Sequence, residues 1–144
     1  MQDPREVRAA VDDLIDAILA KDIERIQSRY LQEDRLFIFL EGWEGKIEGF
    51  EKETNATAWR GLLDQVSFST IELTDDARAG RDGDLGWVGG TTRSRFVPAD
   101  GEGEIEVEQR ATWILERVDG RWVIVFEHVS FPKDRPYGTE TISS

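Results

Sequence analysis

A carboxylate and an imidazole lie next to each other in the last long apolar run of the chain, and both side chains are suited to proton transfer. They are Glu127 and His128 in the stretch VIVFEHVSFP, and His128 is the only histidine of the protein. Neighbouring side chains of an extended strand point to opposite faces, so at most one of the two faces any given pocket. The chemistry available to the protein therefore depends on which face of this strand lines a pocket.

The two residues would do different things in a pocket. A glutamate surrounded by Trp and Val loses hydration, its pKa rises, and it can act as a general acid or base near neutral pH. The alternatives for Glu127 are a carboxylate held by an arginine of a neighbouring strand, or one that lies in water at a pocket rim. We expect His128 to be a structural or interface residue, with a catalytic acid–base role as the alternative.

Most other catalytic and metal chemistries are excluded by the sequence. There is no cysteine, hence no disulfide, no thiolate ligand and no cysteine nucleophile. A single histidine excludes a histidine-rich metal site, and the carboxylates show no ligand spacing. Ser130 lies two positions beyond His128 on the same strand, which is too far for a Ser-His-Asp triad. Neither a phosphate-binding glycine loop nor a G-x-S-x-G elbow occurs, and we predict no cofactor and no metal.

The composition indicates one globular domain with an acidic surface. Of the 144 residues, 39% are hydrophobic, and 30 acidic against 18 basic side chains give a net charge of −12. This charge repels a phosphate backbone and an anionic membrane, so neither nucleic acid nor membrane is an expected partner. The N-terminal region has no signal-peptide pattern, and no segment reaches the roughly 18 apolar residues of a membrane helix. We expect a cytoplasmic protein.

Helical patterns occupy the first part of the chain. Asp3-Pro4 followed by Glu6 predicts a helix start, and apolar residues at helical spacing continue to Leu19. A second, short helix is expected after Asp22, and a third between residues 50 and 63.

Strand patterns occupy most of the rest. They are predicted at residues 35–41, 66–78, 85–97, 104–118 and 121–131, with turns at RDGD, PADGEG and VDG. Helices followed by a meander of strands predict an α+β domain with the helices on one face of a sheet. We place this domain at residues 1–132 and expect an irregular tail at 133–144.

The closing strand also resembles a known family. SnoaL-like domains of the nuclear transport factor 2-like superfamily have a similar closing strand, and the matching residues are Asp119-Gly120, Trp122, His128 and Ser130, with Thr112 on the strand before. The order of elements is similar over residues 5–132. The resemblance implies a curved, mixed sheet wrapped around the N-terminal helices as a cone with a pocket at its open end. It also implies dimers built from sheets packed face to face.

Relatives in this superfamily have different activities, so the fold alone says little about function. They include ketosteroid isomerase, polyketide cyclases, dehydratases, nuclear transport factor 2 and the association domain of calcium/calmodulin-dependent protein kinase II. In that association domain, the positions that match Glu127 and Val129 point into the pocket. The resemblance therefore implies that Glu127 faces the pocket, whereas His128 and Ser130 face a partner subunit.

Arg93 is the expected partner of Glu127. Measured back from Thr112, it falls where the kinase association domain has a pocket arginine, while Trp113 and Val129 occupy the places of that relative's two other pocket arginines. The resemblance implies that Arg93 holds a substrate carboxylate through a bidentate hydrogen bond. A structural salt bridge to Glu127 or to another acid is the alternative.

Large aromatic residues are numerous for a small cone, and we expect most of them in the core. Trp59, Trp87 and Trp113 are the subset that we expect at the open end, where they would bind a planar or hydrophobic ligand. Tyr30 and Phe39 are further candidates for the lining, with core or rim positions as the alternative, and Trp43 belongs to the same aromatic set.

Three functions remain open. The first is a dimeric small-molecule-binding domain for a hydrophobic or carboxylate-bearing ligand. The second is an isomerase, dehydratase or cyclase that uses Glu127 as acid or base and Arg93 to orient the substrate. The third is a protein-association module. Strict strand alternation puts Trp122, Phe126 and His128 on one face, which would form the homodimer contact.

Overall fold

The computed structural model describes residues 2–40, 46–101 and 103–132. Trp43 and the tail at 133–144 lie outside these ranges. The helices and strands, in chain order, are α1 (Arg5–Leu19), α2 (Ile23–Gln27), β1 (Phe37–Phe39), β2 (Ile47–Glu48), α3 (Lys52–Gln65), β3 (Val66–Leu73), β4 (Arg78–Asp82), β5 (Leu85–Pro98), β6 (Ile105–Val118) and β7 (Arg121–Ser130).

The helices begin close to the positions that the sequence predicts. The Asp22 carboxylate accepts a hydrogen bond from the backbone N–H of Arg25 at 3.2 Å and caps α2. Glu51 caps α3 in the same way, with the N–H groups of Glu53 and Thr54 at 2.7 and 3.1 Å. Such side chains satisfy N–H groups that have no partner inside the first turn.

The strands form one mixed sheet in the order β2-β1-β7-β6-β5-β3, with β4 also paired to β5. The β1–β7 pair is parallel and the other pairs are antiparallel. We call the face that packs on α1 the inner face. This curved sheet around N-terminal helices confirms the expected α+β fold.

Helix α1 approaches the inner face closely. A Cβ atom at Gly86 of β5 would lie 2.7 Å from Cγ2 of Val7, which is fully buried. Since real Cβ atoms do not approach other carbons so closely, only glycine fits beneath α1 at this position.

The strand predicted at 66–78 is divided in the structure. β3 ends at Leu73, and the chain resumes pairing with β5 as β4 at Arg78. Between them, the Asp76 carboxylate accepts hydrogen bonds from the backbone N–H and the hydroxyl of Thr91, at 2.8 and 2.6 Å. A side chain that occupies backbone donors competes with strand pairing, which accounts for the break.

A bulge in β7 changes the alternation of its side chains. Ile114 pairs with Phe126, but the next residue, Leu115, pairs with Ile124, so Val125 is the extra residue. A bulge of this kind reverses the parity of a strand. Ile124 and Glu127 therefore both lie on the inner face, while Phe126 lies on the outer face.

Candidate functional site

Glu127 lies in a row of apolar side chains that crosses the inner face. The register pairs it with Ile38 of β1 on one side and with Trp113 of β6 on the other, and Trp113 is paired in turn with Val88 of β5. All of these residues are buried, and Glu127 itself is only 7% exposed. A carboxylate in such a row has lost most of its hydration.

Two neutral groups donate hydrogen bonds to the same carboxylate oxygen. The hydroxyl of Tyr30 lies 2.8 Å from Oε1 of Glu127, and the indole Nε1 of Trp113 lies 2.7 Å from that oxygen. Oε2 accepts no hydrogen bond from the residues that the structure describes. The two oxygens of Glu127 therefore differ: Oε1 is held by two donors, and Oε2 by none of the described residues.

Backbone pairing holds Tyr30 in this position. The N–H of Leu31 donates to the carbonyl of Ile124 at 2.8 Å, and the N–H of Ile124 donates to the carbonyl of Arg29 at 2.8 Å. Tyr30 forms a parallel bridge with Ile124. The segment after α2 is thus fixed beside the part of β7 that precedes the bulge, whereas β1 pairs with the part that follows it.

Burial dominates the protonation of this cluster. It raises the pKa of Glu127, and the hydrogen bonds from Tyr30 and Trp113 lower that pKa by a smaller amount. Burial, followed by the charge of Glu127 and their hydrogen bond, raises the pKa of Tyr30 well above its ordinary value. Tyr30 therefore stays a hydroxyl donor, and Glu127 is the group of this pair that ionises first as the pH rises.

Arg93 does not reach Glu127. It lies on the outer face, where its guanidinium is 3.2 Å from Glu72 and 2.9 Å from Glu108. The pairing of β5 with β6 is continuous from Leu85 to Phe96, so the odd-numbered residues of β5 stay on this face. The expected pairing of Arg93 with Glu127 is corrected accordingly: Arg93 forms exposed ion pairs with glutamates of the neighbouring strands.

Two other expected pocket residues, Trp87 and Phe39, also lie on the outer face, together with His128, which was not expected to line the pocket. His128 is exposed and pairs across the sheet with Phe39, whose ring centroid is 6.2 Å away and which is 42% exposed. Trp87 is 45% exposed and covers Gly80 of β4. The expectation that Trp87 and Phe39 line the pocket is corrected by this placement. Trp122 was expected on the same face as Phe126 and His128, but it lies on the inner face and is only 4% exposed.

Of the candidate residues, the structure brings together Glu127, Tyr30 and Trp113. Trp59 of α3 is partly buried and packs against the hydrophobic core. No sequence pattern indicates that Tyr30 and Trp113 donate hydrogen bonds to Glu127, since Tyr30 is 97 positions away. The described residues contain no group of three or more side chains able to hold a metal ion.

The sequence profile of the SnoaL-like domain matches residues 7–134. The chain belongs to the SnoaL-like domain family. No curated protein sequence matches the chain. Among the described residues, no helix is long and apolar enough to cross a membrane.

Solved structures agree with this SnoaL-like assignment. A nuclear transport factor 2-like superfamily protein from Salmonella enterica has a TM-score of 0.77 at 14% identity, with 95% of this chain and 96% of that chain covered. A ketosteroid isomerase-like protein from Erwinia carotovora atroseptica has a TM-score of 0.71 at 17% identity, with coverages of 92% and 96%. A candidate dehydratase of the same superfamily from Streptomyces avermitilis has a TM-score of 0.69 at 16% identity, with coverages of 90% and 95%. At these identities the likeness shows the fold alone.

Proposed function

We propose that this SnoaL-like domain binds a small, mainly apolar molecule on its inner face, with one polar group of the ligand against Oε2 of Glu127. The observation that carries the proposal is the unequal use of the two carboxylate oxygens. Oε1 accepts hydrogen bonds from Tyr30 and Trp113, whereas Oε2 accepts none from the described residues. A purely structural carboxylate in an apolar row would be expected to have both oxygens satisfied.

The donors on Oε1 also decide where the proton of a neutral Glu127 resides. Because Tyr30 and Trp113 both donate to Oε1, that oxygen must accept, and the proton lies on Oε2. The neutral acid then donates to a carbonyl or carboxylate oxygen, and the ionised form accepts from a hydroxyl. The site accordingly favours an apolar ligand with a carbonyl, carboxylate or hydroxyl group.

Ligand binding to matched variants tests this proposal. Apolar carboxylic acids, ketones and alcohols would be screened by the shift in melting temperature, and hits measured by calorimetry. We expect Glu127→Gln to change the affinity of a hit by about tenfold, since it alters a buried hydrogen bond to a charged or acidic group. Arg93→Gln on the outer face is the control and should change nothing. Equal affinities in wild type and Glu127→Gln would refute the proposal.

Proton-transfer catalysis is the second candidate function, and the raised pKa of Glu127 favours it. The ionised carboxylate would take a proton from a carbon next to a substrate carbonyl and return it to another carbon, an isomerisation that needs no cofactor. In D₂O, such a step puts deuterium into the substrate, which NMR detects. Glu127→Gln should abolish the incorporation, and incorporation at the wild-type rate in this variant would exclude Glu127 as the base.

We further propose that the outer face forms a homodimer contact. Phe37 stacks on Phe126 with ring centroids 5.9 Å apart, and Phe126 pairs across the sheet with Ile114, which pairs with Trp87. Ile114 and Trp87 are exposed large hydrophobic residues in this row. An apolar row of this extent on a solvated face favours a protein contact.

Sedimentation of two variants tests the dimer. Ile114→Glu puts a charge in the centre of the row, and we expect it to produce monomers where the wild type is dimeric. Leu62→Glu is the control, because Leu62 is also an exposed hydrophobic residue but lies on α3. A wild type that is monomeric at high concentration, or an Ile114→Glu variant that remains dimeric, would contradict the proposal.

A further inference from the structure

A cleft that shares no residue with the Glu127 cluster lies where α1 meets the turn between β6 and β7. Its volume is about 380 Å³, within the range of small-molecule sites. Its lining consists of Glu6, Ala9, Ala10, Arg29, Gly120, Arg121 and Trp122. In a protein with a net charge of −12, two arginines in one cleft are a local reversal of charge.

The guanidinium groups of the two arginines in this cleft donate hydrogen bonds to neutral oxygens. Nε and Nη2 of Arg121 donate to the carbonyl and the hydroxyl oxygen of Ser28, at 3.3 and 2.9 Å, and no acidic side chain of the described residues pairs with Arg121. Nη1 of Arg29 donates to the carbonyl of Trp122 at 3.2 Å. These acceptors are neutral, so the charge of Arg121 is not compensated by a described acidic side chain, whereas Arg29 is paired with Asp13.

Within the described residues, Asp13 is the one acidic partner of Arg29, and it shares its carboxylate with Arg25. Nε of Arg29 forms an ion pair with Asp13 Oδ2 at 2.8 Å, but this buried nitrogen has no partner in the described chain that meets the full geometry of a hydrogen bond. Burial lowers the pKa of Arg29, and the nearby charge of Arg121 lowers it further. An anion between the two arginines would relieve this repulsion.

Two further arginines lie against the ring of Trp122. The guanidinium carbons of Arg81 and Arg117 lie 5.2 and 5.6 Å from the ring centroid of Trp122. Arg117 is paired with Asp84, and Arg81 donates to the carbonyl of Gly83. Both arginines thus pack on Trp122, whose indole N–H donates to the Glu6 carboxylate at 3.4 Å and therefore reports on the cleft.

We propose that this cleft binds a small oxyanion, a carboxylate or a phosphate group, between Arg29 and Arg121. Guanidinium groups pair with both oxyanions through forked hydrogen bonds. Glu6 is the one acidic residue of the lining and opposes such a ligand. The negative charge of Glu6 weakens the affinity for an anion, and a substitution that removes this charge should strengthen binding.

Titrations followed by the indole N–H signal of Trp122 in ¹⁵N-labelled protein test the proposal. Benzoate and inorganic phosphate would be added separately at constant ionic strength, so that screening is held fixed. We expect saturable shifts, with benzoate the tighter ligand if the site takes carboxylates and phosphate the tighter if it takes phosphates.

Three charge variants give the decisive comparison. Arg121→Gln should weaken binding by about tenfold, because it removes a charged donor from the ligand. Glu6→Gln should strengthen binding, an outcome that a folding defect cannot imitate. Arg60→Gln is the control, since Arg60 is an exposed arginine of α3 away from the cleft. Shifts that rise linearly with both anions, or that are the same in Arg121→Gln and Arg60→Gln, would overturn the proposal.

Discussion

Replacing Glu127 by glutamine should change how stability depends on pH. In the unfolded chain the carboxyl has its ordinary pKa of 4.5, and in the fold burial raises that pKa. Between these two values the folded state holds a proton that the unfolded state has lost, so the free energy of unfolding falls as the pH rises. Glutamine does not titrate and keeps an oxygen that accepts from Tyr30 and Trp113.

The magnitude follows from the single proton involved. Within the window, one proton of difference changes the free energy of unfolding by at most about 1.4 kcal/mol per pH unit. The stability of Glu127→Gln relative to wild type should therefore increase with pH from about 4.5 upward, and level off at the pKa that Glu127 has in the fold. The other carboxylates are common to both proteins and cancel in the difference.

Urea denaturation of wild type and variant between pH 5 and 8 measures this difference directly. Glu24→Gln serves as the control, because Glu24 is an exposed residue in the first turn of α2 and its substitution removes the same charge from the surface. Curves for Glu127→Gln and wild type that run parallel over the whole range would refute the reasoning. A difference that falls with pH would show instead that the fold stabilises the charged carboxylate.

Three further substitutions test the structure around this site. Tyr30→Phe removes a donor to Glu127, so it should raise the pKa of that carboxyl and move the levelling point to higher pH, with a loss of about 1–3 kcal/mol at pH 8 in urea denaturation. Arg93→Gln should cost less than about 1 kcal/mol and leave the pH dependence of Glu127 unchanged, since its ion pairs are exposed; a changed levelling point would contradict its placement. Gly86→Ala should destabilise the fold by about 1–3 kcal/mol, measured by thermal unfolding, because the added methyl meets Val7; unchanged stability would show that α1 can shift.

Much of the fold follows from patterns that act over short distances. The apolar spacing of α1 and the capping residue Asp22 mark helices because they satisfy local requirements of burial and of backbone hydrogen bonding. The break after Leu73 was not predicted, because Asp76 competes for the backbone of Thr91, which is 15 positions away. A strand pattern carries no information about such a distant acceptor.

The candidate site is predicted less completely, because its geometry depends on a bulge. Alternation with a period of two predicts one shared face for four residues of β7: Trp122, Ile124, Phe126 and His128. The extra residue Val125 divides this group, so that the first two lie on the inner face and the last two on the outer face. Glu127 was expected on the pocket-facing side and does lie on the inner face. Arg93 was misplaced because its assignment assumed that a pocket arginine of a relative keeps its face in this chain.

The bulge also explains why Ile124 and Glu127, which are three positions apart on β7, share the inner face. Ahead of it, Trp122 and Ile124 are buried on the inner face; beyond it, Glu127 stays inside while Phe126 and His128 lie on the outer face. In a regular strand, Val125 would take its own place in the alternation. Keeping Trp122 and Ile124 inside would then turn Glu127 to the outer face, where neither Tyr30 nor Trp113 could donate to it. The closing strand can thus contribute core residues, a buried carboxylate and an apolar outer row at once only because its alternation is interrupted.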